Sequence, residues 1–535
     1  MRKTSRGLMA LLLIAAMGAQ TGCGSSKATT DIGTQENTDT QGNTDTKEET
    51  GQTAAASVES MDGEVEKPEK ITVLYDMGTL TQTAGLNEWI ARWEELTGIE
   101  LELITPDHDA YTDIVGQTFA SGAENWPDVI MLSATEYCGY ANEGAFWDMT
   151  DAWNNSELKK SGTVDTDIVE ANMLDGHLYG FSKERGNGCI TYIKKSWLDN
   201  CGLEAPTNYE EYLAMLDAFT NGDPDGNGIN GDTYAVSAAG LLGTDGGVST
   251  TYLPEIYQDA YPTFYQKEDG TWVDGFTEDA MKDAIERLKY VYEQGYLDRE
   301  TLTNGTSDCR NKFFEDKFGV FTYWAGSWAS KLKTNLESNG IDGELIALEP
   351  IAELDHYIER NATVMCITTS CENPEGVWKY FIESTCDGGD MQILWTYGVE
   401  GVHWSTEAET VCGNTYADGE FHMLENPDTP GAQFTNANTD PLLTINPMDD
   451  DPGKDAVSPE ARASQEAFNA NSKVDELPVT SDERSQYNGD LITLKRSIVT
   501  DCVMNGLSVE EGYERFQEEH GQEWSDLIVE SLNRK

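Results

Sequence analysis

Lys70-Ile-Thr-Val-Leu-Tyr-Asp-Met-Gly78, with the segments that follow it to Leu132, decides how this chain folds. Ile71 to Tyr75 is a β-branched and aromatic run that stops at Asp76-Met77-Gly78, as a buried strand does where it meets a turn. Leu86, Trp89, Ile90, Trp93 and Leu96 then recur at helical spacing. Ile99 to Ile104 reads as a second strand, Tyr111 to Phe119 as a helix, and Asp128 to Leu132 as a third strand. Strands alternating with helices need crossover connections, so the expected fold class is α/β with parallel strands. Ligands of such sheets bind beyond the carboxyl ends of the strands. That rule makes Asp76, Met77, Glu136 and Tyr137 candidate ligand contacts. Trp89, Trp93 and Trp197 fall at core positions and are read as packing.

Outward from this unit, the start of the chain indicates the compartment. Arg2, Lys3 and Arg6 precede an apolar run from Leu8 to Ala16, which is short of the ~20 residues that span a bilayer. Thr21-Gly-Cys23 closes the run, as in a bacterial lipoprotein signal over residues 1–22, with Cys23 the expected lipidation site (palmitate and diacylglycerol). Gln20 departs from the aliphatic residue preferred there. Residues 23–66 are Ser, Thr, Gly, Gln, Asp and Glu with few aliphatic side chains, and Asn-Thr-Asp-Thr appears twice. Such a stretch buries too little apolar surface to offset chain entropy, and a disordered tether is expected.

The remainder is too long for one hydrophobic core, so two lobes are expected. Acidic residues number 96 against 35 basic ones, a formal net charge of −61, which argues against nucleic acid or an anionic membrane surface as partner. The same field disfavours an anionic ligand unless a local basic pocket overrides it. Apart from Cys23, nine cysteines are scattered with no C-x-x-C spacing, and the six histidines form no H-x-x-x-H pair. Neither a zinc site nor a disulfide framework is indicated, although a single disulfide stays open.

Asp223-Pro-Asp-Gly-Asn-Gly-Ile-Asn-Gly-Asp232 places hard oxygen donors on alternate positions. Asp223, Asp225, Asn227, the Ile229 carbonyl and Asp232 are the expected ligands of a structural Ca²⁺. The twelfth position is Tyr234 instead of the Glu of an EF-hand, so the loop is read as shortened and closed by Asp232. A solvated Asp/Gly/Asn turn is the alternative.

Taken in order, the segments resemble the type 1 extracellular solute-binding proteins of carbohydrate ABC importers, and most of all their alginate-oligosaccharide-binding lipoprotein branch. Pro127-Asp-Val-Ile-Met131 and Tyr140-Ala-Asn-Glu-Gly-Ala-Phe-Trp-Asp-Met-Thr-Asp151 carry the likeness. So do Asp175-Gly-His-Leu-Tyr-Gly-Phe181, Tyr192 to Asp199, and Gly202 to Phe219, which ends just before the acidic loop. It resumes at Leu288 to Asp298, Phe318 to Trp328 and Tyr397 to Trp404. The resemblance implies a two-lobed periplasmic-binding-protein-like fold (type II) with ligand between hinged lobes. Its lobes would be 67–186 plus 342–390, and 187–341 plus 391–535. It also implies a calcium loop at the Asp223 position and a sugar-stacking aromatic near Trp328, with Trp324 second. Tyr397, Glu400 and Trp404 are further candidates for contact with the solute. Arg185, in the crossing segment, is either a ligand contact or a solvated hinge residue.

The function this implies is capture of a carbohydrate, an oligosaccharide by preference, and delivery to an ABC permease. The protein would be a monomer, lipid-anchored on the extracytoplasmic face of the cell membrane of a Gram-positive bacterium. A binding protein for a non-sugar solute such as a peptide is the alternative. A secreted glycoside-acting enzyme is disfavoured: so many acids make any carboxylate pair uninformative, and no nucleophile elbow or P-loop is present.

Overall fold

In the computed structural model, the strand Lys70–Leu74 pairs in parallel with Glu100–Ile104 on one side and with Val129–Leu132 on the other. The helices Leu86–Thr97 and Tyr111–Ala120 make the connections. The structure describes residues 65–77, 80–107, 110–243, 253–411, 413–425, 434, 440–448 and 450–534. The signal segment, Cys23, nearly all of the tether, and Cys412 lie outside them.

Val364–Ile367, distant in sequence, completes this first sheet by pairing antiparallel to Val129–Leu132. Trp89 and Trp93 are fully buried beneath it, and Trp89 Nε1 donates to the Leu394 carbonyl at 3.0 Å. A second four-stranded sheet runs in the order Leu345–Ala347, Cys189–Lys194, Phe318–Trp324, Tyr234–Val236. Every residue of Cys189–Lys194 is buried, as expected of a central strand covered on both faces. Trp197, Phe219 and Phe321 belong to the core that covers it. Like the first, this sheet is mixed: Phe318–Trp324 is antiparallel to Cys189–Lys194 and parallel to Tyr234–Val236.

The two sheets have separate hydrophobic cores, and the chain passes between them several times. Phe181 packs in the first core and Ile190 in the second; Tyr357 returns from the second and Met365 re-enters the first. The passages are laced together. Arg185 N–H donates to the Leu443 carbonyl at 2.8 Å, Gly188 bridges Glu359, and Tyr357–Glu359 pairs in parallel with Ser472–Val474.

The lobes divide the chain differently from the expected 342 and 390. Leu345–Ala347 joins the second sheet, and Leu348, Ile351 and Leu354 pack in its core. Met391, Leu394 and Trp395, together with Ile445, belong to the first core. Short apolar segments are interchangeable by periodicity, and only their partners assign them to a lobe. Among the described residues no helix is long and apolar enough to cross a membrane, and eight cysteines are free thiols.

Candidate functional site

The carboxyl ends of the first sheet are held by Tyr111, whose hydroxyl is within bonding distance of the carbonyls of Leu74 (3.1 Å) and Met131 (2.8 Å). Burial pushes that phenol far above its ordinary pKa, so it stays protonated as a fixed donor. Asp76 follows the first strand here, partly exposed. After the third strand, Ser133 caps the helix Ala134–Asn142, and Glu136 Oε2 accepts from the Ser133 N–H (3.1 Å) and hydroxyl (2.8 Å). The second carboxylate oxygen of Glu136, Oε1, is buried with no hydrogen-bond partner. Met77 and Tyr137, by contrast, are fully enclosed, and the Tyr137 hydroxyl donates to the Asn172 carbonyl at 2.6 Å. Both are packing, Met77 in the core beneath the sheet and Tyr137 on the inward face of its helix.

Two acids sit where the chain passes between lobes. Glu184 and Asp440 each keep some contact with solvent while protein crowds around the carboxyl. Desolvation is the largest cause of the upward pKa shift of both, and each raised acid is next to a cation, Lys183 at 3.9 Å from Glu184 and Lys331 facing Asp440. Burial and then the Glu184 charge raise the Tyr75 phenol, and Ser327 bonds the Asp440 carboxyl. These contacts connect the end of the first sheet's first strand to the helix Ser327–Ser338, which follows the second sheet's strand Phe318–Trp324.

The second lobe presents Trp324 and Trp328, both partly exposed. The Arg360 guanidinium lies over the Trp324 ring at 4.7 Å from its centroid. Arg310 and Lys331 lie over Trp328 at 5.1 and 4.8 Å. Beside Arg360 opens a cavity of about 710 Å³, walled by Thr135 from the first lobe, Asn361 and Asp475 from the passages, and Phe264, Arg484 and Asn488 from the second lobe. That volume is within the range of ligand pockets. Tyr261 bonds Asp475 at its rim, and Arg484 lies over the Phe264 ring at 5.3 Å.

Arg185 takes no part in this surface. Its Nε and Nη2 reach both oxygens of Glu359 at 2.5–3.2 Å, and Nη1 reaches Asp165 at 3.0 Å. Because Glu359 is fully buried, the guanidinium is committed as a clasp between passages instead of being free for a solute. Tyr397 is buried, with its hydroxyl on Asp451 at 2.7 Å, and Trp404 is nearly so, with Nε1 on the Gly398 carbonyl at 3.1 Å. Phe421 packs against both rings, so these aromatics form a small core under a turn on which Glu400 is exposed, as are Gly401 and Val402. Periodicity and motif spacing do not single out Glu184, Arg310, Lys331, Arg360 or Asp440. One signal was present: Lys331 follows Trp328 by three residues and so shares its helix face.

In the acidic loop, Asn227 Nδ2 donates to Asp225 (2.8 Å) and to Asp232 (3.0 Å), and the Gly228 N–H donates to Asp223 at 3.0 Å. Gly226, Gly228 and Gly231 all have positive φ, which lets the loop turn tightly enough to gather these groups. Desolvation and then the Asp232 charge raise the pKa of Asp225. Among the described residues no three His, Cys, Asp or Glu side chains are arranged to hold a metal. The donor set is nonetheless hard oxygen throughout, and the Asn227 amide occupies the point on which Asp225 and Asp232 converge.

Two lobes with separate cores, laced by several passages and facing each other at strand ends, define a type II periplasmic-binding-protein-like fold. The chain belongs to the bacterial extracellular solute-binding protein family, whose model matches residues 78–382, more than half of its length. Lipoprotein LipO of Bacillus subtilis is 26% identical over 285 residues, which are 53% of this chain and 52% of LipO. The chain thus matches about half the length of that curated relative. Among solved structures, an EF-hand mutant of the Streptococcus pneumoniae ABC-transporter substrate-binding protein FusA with fructo-nystose superposes with a TM-score of 0.54. It is 17% identical and covers 88% of this chain and 99% of its own. The alginate-binding protein AlgQ2 without calcium ion gives a TM-score of 0.54 at 18% identity, with coverage of 88% and 99%. At these identities the structures establish the fold.

Proposed function

We propose that this protein is the substrate-binding component of a carbohydrate ABC importer, which holds an oligosaccharide between its lobes and passes it unchanged to a permease. The observation that carries this reading is one cavity at the lobe passages, lined by hydrogen-bonding side chains from both lobes, with Arg360 on its wall lying over the partly exposed Trp324. Flat aromatic surface together with planar polar groups is what sugar rings require. The sugar ligands named for FusA and AlgQ2 support the same class. Asp76, Glu136, Trp324 and Trp328 remain as candidate contacts, with Glu400, exposed on its turn, as a further one. Ligand that touches both lobes favours their closure, because only the closed form offers both surfaces.

Lipid attachment at Cys23 would keep the protein at the extracytoplasmic face of the membrane, acting there as a monomer. Calcium would be held by Asp223, Asp225, Asn227, the Ile229 carbonyl and Asp232. Rotating the Asn227 amide would turn its oxygen toward the carboxylates and supply a further hard donor. The ion's contribution would be to pin the loop to the end of the helix Tyr209–Asn221, with no contact to sugar.

A thermal-shift screen of the purified protein against neutral and uronic oligosaccharides and di- to pentapeptides tests the reading. Stabilisation by at least one oligosaccharide, with no product formed, is expected. Stabilisation by peptides alone would overturn it.

A further inference from the structure

Two of the passages between the lobes run side by side, paired in parallel through Tyr357–Glu359 and Ser472–Val474. The cavity of about 710 Å³ has a neighbour along this pair, a cavity of about 330 Å³. Residues 354–356 and 473–474 wall the smaller one, whereas 360–361 and 477–478 wall the larger. Tyr261, Ile358, Asp475 and Glu476 line both. One groove therefore follows the two passages, and it is pinched where these four residues meet.

The pinch is a bar. Tyr261 reaches across from the second lobe, and its hydroxyl donates to the Asp475 carboxylate. Both ends of the bar are held. The Asp475 N–H donates to the Glu359 carbonyl at 2.6 Å, and the Asp475 carbonyl accepts from Asn361 Nδ2 at 2.7 Å. The carboxylate oxygen that meets Tyr261 also accepts from the Glu476 N–H at 2.9 Å. On the other side, the Tyr261 ring stands in T-shaped contact with Tyr265 at 5.6 Å, and Tyr265 is tied to Glu278 at 2.7 Å. Gly275 lies so close to the Tyr261 carbonyl that a β-carbon there would collide with it. One hydrogen bond between half-buried groups adds little to folding stability. Anchored at each end, it makes a firm wall across the groove.

The space behind the bar suits a sugar. Its volume falls at the lower end of the range of ligand pockets, and Gln258, Gln266, Asp355 and His356 supply planar polar groups beside the Tyr265 ring. Resting on the reading of the larger cavity as a sugar site, we infer that Tyr261 and Asp475 are the end stop of that site: their hydrogen bond sets how many sugar units the protein can hold and shuts off a further subsite in the smaller cavity. A chain too long for the larger cavity must turn its extra units out into solvent or press on the bar, and neither adds affinity. Removing the bar would join the two spaces and enlarge the site by almost half.

Calorimetric titration of the intact protein with malto-, fructo- and galacturonic acid oligosaccharides of two to eight units tests this. In the wild type, affinity within a series that binds should rise with each unit until the larger cavity is filled, and then level off. Tyr261→Ala should move that plateau to chains one or two units longer. Its longest ligands should gain about tenfold over the length at which the wild type levels off, as one or two further hydrogen bonds would give. Lengths are compared within each protein, so a loss common to all of them does not alter the outcome. Asp475→Ala shortens the bar from the other side and should move the plateau the same way; it carries the test if Tyr261→Ala does not fold. A plateau at the wild-type length in the folded variants, or wild-type affinity that keeps rising to eight units, would overturn the end stop and leave the sugar reading intact. Binding of none of these series, nor of the other oligosaccharides in the thermal-shift screen, would overturn both.

Discussion

Replacing Arg185 separates a hinge role from a ligand role. Its guanidinium makes four hydrogen bonds, three to Glu359 and one to Asp165, and Glu359 has no exposed side-chain surface. Arg185→Met would leave the Glu359 carboxylate buried and unpaired, a change that costs about 3–5 kcal/mol when one member of a buried ion pair is removed. Ser472, whose hydroxyl is 3.4 Å from Glu359, is too weak a donor to compensate. In lobes of roughly 200–250 residues each kcal/mol moves the midpoint by about 2–4 °C, so thermal unfolding should shift down by roughly 10 °C. Arg185→Met combined with Glu359→Leu should recover most of that stability, because an apolar pair of similar volume replaces the ions. Circular-dichroism melts of the two single variants and the double variant measure the coupling directly. A variant that melts with the wild type while losing solute affinity would refute the clasp and return Arg185 to the binding surface.

A β-carbon on Gly186 would collide with the Arg360 carbonyl, and this contact is with backbone that cannot swing aside. Gly186→Ala should therefore force two passages apart and weaken solute affinity well beyond its effect on isolated-lobe stability, as hydrogen exchange at 183–188 and 358–361 would register. Glu255 is fully buried with both carboxylate oxygens unpaired, and burial raises its pKa to about 7. With the folded value above the unfolded one near 4.5, stability present below pH 4.5 is lost as pH rises to about 7, by about 3 kcal/mol in all. Glu255→Gln should accordingly raise the melting temperature at pH 7.5 and leave it little changed at pH 4.5; an equal effect at both pH values would contradict this. For the acidic loop, chelator should lower the wild-type melting temperature and leave Asp225→Ala indifferent, with solute affinity preserved in both. A large drop in affinity at unchanged stability would count against a structural ion.

Much of the fold was legible in the order of residues. The expected strand Ile71 to Tyr75 differs from Lys70–Leu74 by one residue at each end, and the expected helix Leu86 to Leu96 from Leu86–Thr97 by one residue at its end. The expectation worked because β-branched runs and 3.6-residue periodicity are local physics, set by neighbours a few positions away. The strand Phe318–Trp324 running into the helix Ser327–Ser338 was legible for the same reason, whereas it was the resemblance that made Trp324 and Trp328 candidates. The errors share a different cause. Met77, Tyr137 and Tyr397 follow strands or helices as ligand contacts do, but whether such a side chain faces a cleft or a core depends on what distant segment covers it. Asn172 covers Tyr137, and Asp451 covers Tyr397.

By itself, the sequence determined the class of layer, the two-lobe size, the surface charge and the acidic loop. Each of these follows from composition or from spacing within about twenty residues. Tertiary structure alone decided which lobe owns Leu345–Ala347, that Arg185 is spent on Glu359, and that Arg310 reaches Trp328 while Lys331 stands beside it. Those outcomes depend on electrostatic and packing partners far apart along the chain, and partner choice is settled only when the whole chain has closed its cores.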